Sequence, residues 1–89
     1  MIKKKVKIKN KLGMHARAAV KFVNLANRFA SSIKIGKDSN EVDGKSVLGI
    51  LTLAAVQGSE IQLKVSGKDE EIAFQALNDL IDEKFHEKE

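Results

Sequence analysis

The sequence predicts an α+β fold: a four-stranded, mostly antiparallel sheet covered on one face by three helices, in the order βαββαβα. Three observations predict it. Residues 2–9 and 61–66 alternate apolar and polar side chains, the period of a half-buried strand. Two stretches, one from Ala16 and one after Asp69, carry single apolar stripes at helical spacing. The chain has 89 residues, so 1–89 is read as a single domain with one modest core. A sheet with one face to bury, and helices with one stripe each, settle on an open-faced sandwich.

In the first strand Ile2, Val6 and Ile8 share one parity and Lys3, Lys5, Lys7 and Lys9 the other, with Lys4 the exception on the apolar side. Such a lysine-rich strand suits a sheet edge, where charge discourages unwanted pairing. Asn10–Met14 is a connection punctuated by Gly13. From Ala16 the period changes. Ala19, Phe22, Val23, Ala26 and Ala30 form a stripe flanked by Val20 and Phe29, predicting a helix of about 12–14 residues that ends at Ser31-Ser32.

Ile33–Ile35 reads as a short strand, Gly36–Asn40 as a turn and Glu41-Val42 as the return strand of a hairpin. Asp43–Ser46 connects to the nearly all-apolar run Val47–Val56, with Ser46 placed as the N-cap of a short helix and Gly58 as its terminator. Ile61, Leu63 and Val65 alternate with Gln62, Lys64 and Ser66 until Gly67. Asp69-Glu70-Glu71 supplies a cap and negative charge to a last helix. Its core stripe is Ala73, Ala76, Leu77, Leu80 and Ile81, with Ile72 beside it, and Lys84 and His86 suit its C-terminal pole. Glu87-Lys88-Glu89 is expected to fray.

Composition narrows the function. There is no cysteine, hence no disulfide framework and no thiolate chemistry. With no apolar leader and no long apolar run, the expectation is a cytoplasmic protein without membrane insertion. A chain this short leaves no room for a deep enclosed pocket, which argues against a conventional enzyme. The net charge of +4 suits acidic partners. Nucleic acid is disfavoured, because twelve acidic residues dilute the lysines and neither tyrosine nor tryptophan is present for stacking.

His15 is the one histidine outside the C-terminal tail, and it lies where the strand pattern yields to the helix pattern. At a helix start, the N–H groups of Ala16 and Arg17 lack intrahelical acceptors. The positive end of the helix dipole disfavours imidazolium, which keeps the ring neutral and nucleophilic. The same donors fit a phosphate dianion carried on the ring, and Arg17 adds a charge-assisted donor. Residues of this kind therefore fit a group that takes up and releases phosphoryl. Spacing alone equally allows a histidine that only caps the helix. With two histidines, no cysteine and no carboxylate at ligand spacing near His15, no metal set is recognisable, and no cofactor is implied.

The run after Ser46 is the second feature. A short helix buries one face, yet Val47, Leu48, Ile50, Leu51 and Leu53 point several ways, so some face solvent or a partner unless the whole run is core. Ser46, at that helix's start, would tolerate phosphorylation because the dipole favours a dianion there, although capping alone also accounts for it.

These residues resemble the HPr family, the histidine-containing phosphocarriers of the bacterial phosphoenolpyruvate-dependent sugar phosphotransferase system. The run Gly13-Met14-His15-Ala16-Arg17 is similar to the family's active-site signature, and Val42–Ile50 to its regulatory-serine signature; the likeness covers essentially the whole chain. The resemblance implies an open-faced β-sandwich in which His15 is phosphorylated on Nδ1 with Arg17 assisting. It implies that phosphate arrives through enzyme I and leaves to enzyme IIA domains of sugar permeases, with Met14, Val47, Leu48 and Leu51 on the shared docking surface. Ser46 matches the serine that a dedicated kinase/phosphorylase modifies in many, though not all, members, enabling binding to a catabolite-control transcription regulator. A monomer is expected. One position departs from the pattern: Ala18 stands where the family usually has proline, which leaves open a regulatory paralogue, nitrogen-linked or Ser46-controlled, rather than the main sugar carrier.

Overall fold

The period-2 pattern builds four strands and the helical stripes build three helices, in a computed structural model that describes residues 1–87. They are β1 (Ile2–Lys7), α1 (Ala16–Ala26), β2 (Ser32–Lys37), β3 (Asn40–Asp43), α2 (Val47–Thr52), β4 (Glu60–Ser66) and α3 (Glu70–Asp82). A one-turn 3-10 segment, Lys84–His86, follows. The sheet order is β1-β4-β2-β3, with every neighbouring pair antiparallel. Ile61 of β4 pairs with Val6, Leu63 with Ile35 and Val65 with Ile33. This register turns all their side chains to the same face. The lysine-rich β1 lies at the sheet edge.

That face meets Ala19, Phe22, Val23 and Ala26 of α1, Ile50 of α2, and Ala73, Leu77, Leu80 and Ile81 of α3, all buried in one apolar cluster. Fully burying a side chain of leucine, isoleucine or phenylalanine size contributes about 1.5–3 kcal/mol, and this layer carries the fold. Ala76 is only partly buried, and Ile72 stays 68% exposed on the outer face of α3.

Three segments differ from the sequence reading. First, α1 stops at Ala26, and Ala30 is exposed rather than in the stripe. The cause is Asp69, whose carboxylate accepts the Ala30 and Ser31 amides at 2.9 and 3.0 Å and also the Ser31 hydroxyl. So occupied, Asp69 makes no side-chain cap for α3, and Glu70 instead reaches back to accept the Gly67 amide at 3.1 Å. Second, the apolar run leaves the helix at Thr52; Ala54 turns to φ 50°, and Ala55 is buried in the irregular chain that follows.

Third, Lys84 and His86 do not sit in the last turn of α3. With Phe85 they form a left-handed turn at φ 57°, 56° and 60°. Left-handed backbone costs a non-glycine residue about 1–2 kcal/mol, so it persists only where the surroundings dictate it. Here Phe85 is fully buried and Lys21 Nζ donates to its carbonyl at 2.6 Å. The turn brings the chain back over the start of α1. Glu87, expected to fray, is bonded to Asn10 and His15 instead. Lys88 and Glu89, the rest of that expectation, lie outside the described residues.

Candidate functional site

The connection between β1 and α1 is organised by Asn10. Its fully buried side chain donates through Nδ2 to the Gly13 carbonyl at 2.7 Å, while the Gly13 amide returns a bond to the Asn10 carbonyl at 3.2 Å. Gly13 adopts φ 69°, and a Cβ there would lie 2.4 Å from the Ala55 carbonyl oxygen and 2.8 Å from Val56 Cα. Only glycine permits both that backbone and that approach. The Met14 amide then donates to the Ala55 carbonyl at 2.8 Å. The turn is thereby fastened to the segment behind α2. One consequence corrects the sequence reading: Met14 is 5% exposed and packs in the core, so it presents little surface to a partner.

This turn delivers His15 as the N-cap of α1, at φ −76° and ψ 176°, with its carbonyl accepting the Ala19 amide at 2.9 Å. The ring itself makes no capping bond, and no acidic residue lies in the first turn. The amides of Ala16, Arg17 and Ala18 thus precede the first intrahelical bond, and among the described residues no side chain closes the helix end. Ala18 is buried against the core and contributes an N–H that proline lacks. The Arg17 side chain is exposed, and among the described residues it makes no bond to His15.

The ring is instead engaged from behind. His15 Nε2 is hydrogen-bonded to Glu87 Oε2, and Asn10 Nδ2 donates to Glu87 Oε1 at 2.7 Å. The His15 side chain is 26% exposed and that of Glu87 only 7%. Burial opposes ionisation of Glu87. The hydrogen bonds from Asn10 and His15, with the nearby charge of Lys21, outweigh it and hold the carboxyl below its ordinary range. Neither Asn10 nor Glu87 was marked by sequence reasoning. A lone asparagine before a turn glycine is a weak signal, and Glu87 is 72 residues from its partner.

Ser46 caps α2: its Oγ accepts the Gly49 amide at 3.0 Å. Beside it, Lys45 Nζ is tied to the Phe29 carbonyl at 2.8 Å, and Asp43 Oδ1 accepts the Lys45 amide at 2.9 Å. The apolar run divides between core and surface. Ile50 and Leu53 are buried, Val47 and Leu51 half-buried, and Leu48 is 77% exposed.

A hollow of about 630 Å³ lies over β2, β3 and β4 and is lined by Lys5, Lys37, Asn40, Gln62 and Lys64 among others; neither His15 nor Ser46 borders it. Among the described residues no cluster of three or more histidine, cysteine or carboxylate side chains could hold a metal ion. No helix among them is long and apolar enough to cross a membrane.

The family model described as the PTS HPr component phosphorylation site matches residues 2–83. The chain belongs to the HPr phosphocarrier family. It is 45% identical over its whole length, and the relative's, to the phosphocarrier protein HPr of Neisseria meningitidis serogroup A. A crystal structure of HPr-C-His from Thermoanaerobacter tengcongensis superposes with a TM-score of 0.95 at 45% identity, covering 100% of both chains. A crystal structure of an HPr dimer from the same organism matches at 48% identity and a TM-score of 0.79, covering 92% of this chain and 94% of that one. Family membership makes this chain a phosphotransfer carrier of the phosphotransferase system, and the open-faced sandwich read from its sequence is the HPr architecture. The dimeric neighbour runs against the expectation of a monomer.

Proposed function

We propose that residues 1–89 act as a single cytoplasmic phosphocarrier domain in which His15 Nδ1 accepts a phosphoryl group from phosphorylated enzyme I, itself charged by phosphoenolpyruvate. The group then passes to enzyme IIA domains of sugar permeases. The chain is a carrier with no substrate turnover of its own, and needs no cofactor. The observation that carries this reading is a histidine at the N-cap of α1 whose ring leaves the helix end uncapped. The amides of Ala16, Arg17 and Ala18, with the helix dipole, favour a dianion beside that ring. Arg17, exposed and among the described residues not committed to another group, can turn its guanidinium onto the phosphoryl oxygens.

Leu48, with half-buried Val47 and Leu51, supplies the apolar part of the docking surface for enzyme I and the IIA domains. Ser46 is the regulatory position. Its phosphorylation by a kinase places a dianion at the start of α2, where the local field accepts it, and makes the neighbouring surface strongly negative. That charge weakens docking of the phosphotransfer partners and creates a new surface for a transcription regulator.

The phosphorylated protein, mixed with a purified IIA domain, is expected to lose its phosphate to that domain within the mixing time of a hand assay. Phosphate retained on the carrier across several IIA types contradicts the sugar-uptake reading. A second reading, a regulatory paralogue in a nitrogen-linked chain or one controlled through Ser46, is favoured by Ala18 standing at the family's proline position. It predicts transfer to a nitrogen-type IIA partner alone, or partner binding gained on Ser46 modification.

A further inference from the structure

We propose that Glu87 is a positioning residue for His15: its carboxylate fixes the proton on Nε2, presents Nδ1 as the bare nitrogen, and stabilises the positive charge the ring acquires when phosphorylated. This inference rests on the carrier reading above.

The geometry is a two-point clamp. Glu87 Oε2 meets His15 Nε2, while Oε1 accepts Asn10 Nδ2 at 2.7 Å. The same Asn10 Nδ2 holds the Gly13 carbonyl at 2.7 Å, so turn, carboxylate and ring form one network. An ionised carboxylate only accepts, so the bond to it requires the proton on Nε2; the lone pair of the neutral ring then resides on Nδ1. With its side chain 7% exposed, Glu87 meets little competition from water. Among the described residues, the titratable groups that face it are His15 and Lys21. Lys21 also pins the strap, donating to the Phe85 carbonyl at 2.6 Å, while the buried Phe85 ring anchors the left-handed turn that delivers Glu87. A backbone held in so unfavourable a form at a candidate site is a reason to look for a role.

In the transfer step the Nδ1 lone pair forms the new bond to phosphorus as the donor's bond to phosphorus breaks, its electron pair leaving with the donor. The Nε2 proton stays on the ring, giving a phosphoimidazolium whose charge faces the Glu87 carboxylate. On transfer to the acceptor, the bonding pair returns to Nδ1 and the neutral Nε2–H ring is restored. Glu87 neither gains nor loses a proton; it orients the ring and offsets charge, as a buried carboxylate does behind a catalytic imidazole.

The test uses the full chain with 15N-labelled histidine, as wild type, Glu87→Gln and Glu87→Ala. In the unphosphorylated wild type, nitrogen shifts of His15 are expected to show the Nε2–H tautomer. Glu87→Gln, whose amide oxygen still accepts, keeps that tautomer but loses the charge, and phosphorylation by enzyme I and phosphoenolpyruvate slows on the order of tenfold. Glu87→Ala loses both the tautomer bias and the rate. Amide spectra of each variant verify the fold. The inference is overturned if Glu87→Ala retains the wild-type tautomer, or if it is phosphorylated at the wild-type rate. A wild type that takes up no phosphate overturns the carrier reading instead, and the tautomer comparison, made on unphosphorylated protein, then decides separately whether Glu87 holds the ring.

Discussion

Replacing Gly13 by alanine tests whether the backbone approach at the β1–α1 turn positions His15. Two glycines with positive φ allow the effect to be dissected. Gly58 sits at φ 86° with nothing within 4 Å of the place a Cβ would occupy, so Gly58→Ala meets only the left-handed penalty, about 1–2 kcal/mol. Gly13→Ala meets the same penalty at φ 69° and also drives a methyl to 2.4 Å from the Ala55 carbonyl oxygen. Backbone atoms on both sides must part, which breaks the 2.8 Å bond from Met14 to Ala55, a loss of about 1 kcal/mol, with strain in addition. The expected cost is about 3–4 kcal/mol, a large fraction of the stability of a domain this size. At roughly 4–8 °C per kcal/mol the melting temperature falls by more than about 10 °C. Urea titrations of both variants, read by far-ultraviolet circular dichroism with m held as a check, measure the difference. Equal costs for the two substitutions refute the argument, because the close approach would then carry no energy. Among molecules that remain folded, Gly13→Ala is also expected to slow phosphorylation, since His15 follows directly on the displaced turn.

Three further outcomes follow from the same geometry. Ser46→Ala, which removes the acceptor for the Gly49 amide, is expected to cost about 1 kcal/mol, with Ser46→Asp close to neutral, both read by chemical denaturation. Leu48→Glu is expected to change stability by less than about 0.5 kcal/mol, since the side chain is on the surface. It is also expected to weaken enzyme I or IIA docking by about tenfold or more, measured as KM in phosphotransfer. Asp69 contributes to the loss of stability in acid. The Ser31 hydroxyl first, and the Ala30 amide next, hold its carboxyl below the ordinary value. Its contribution is therefore present above the unfolded carboxyl pKa of about 4 and lost as pH falls through the lower folded value. Asp69→Asn is expected to flatten the loss of stability on acidification below about pH 4, and an unchanged acid limb would sink that assignment.

Local pattern made most of the fold legible. The alternation in residues 61–66 places Ile61, Leu63 and Val65 inward, and they are inward. Ser46 is legible as a cap because its partner is three residues away. His15 is legible as a helix start because the change of period lies beside it. What escaped the sequence depends on distant chain. The helix α1 ends early because Asp69, 38 residues past Ser31, takes the amides that would have extended it. Met14 is buried because Ala55 and Val56 close over the turn, which no periodicity announces. The Glu87 contact was the least legible. It needs three non-glycine residues in left-handed backbone, against the intrinsic preference of each, and burial of Phe85 and the bond from Lys21 help reverse that preference. A charged tail read by composition looks like fraying, whereas the structure uses its first residue to hold the candidate nucleophile.

The most direct measurement is the position of the phosphoryl group itself. The wild-type protein, incubated with phosphoenolpyruvate, magnesium and a general enzyme I, is expected to gain one acid-labile phosphoryl group, assigned by phosphorus and nitrogen magnetic resonance to Nδ1 of His15; His15→Ala is expected to gain none. No uptake by the wild type, attachment to another residue, or equal uptake by His15→Ala contradicts the account.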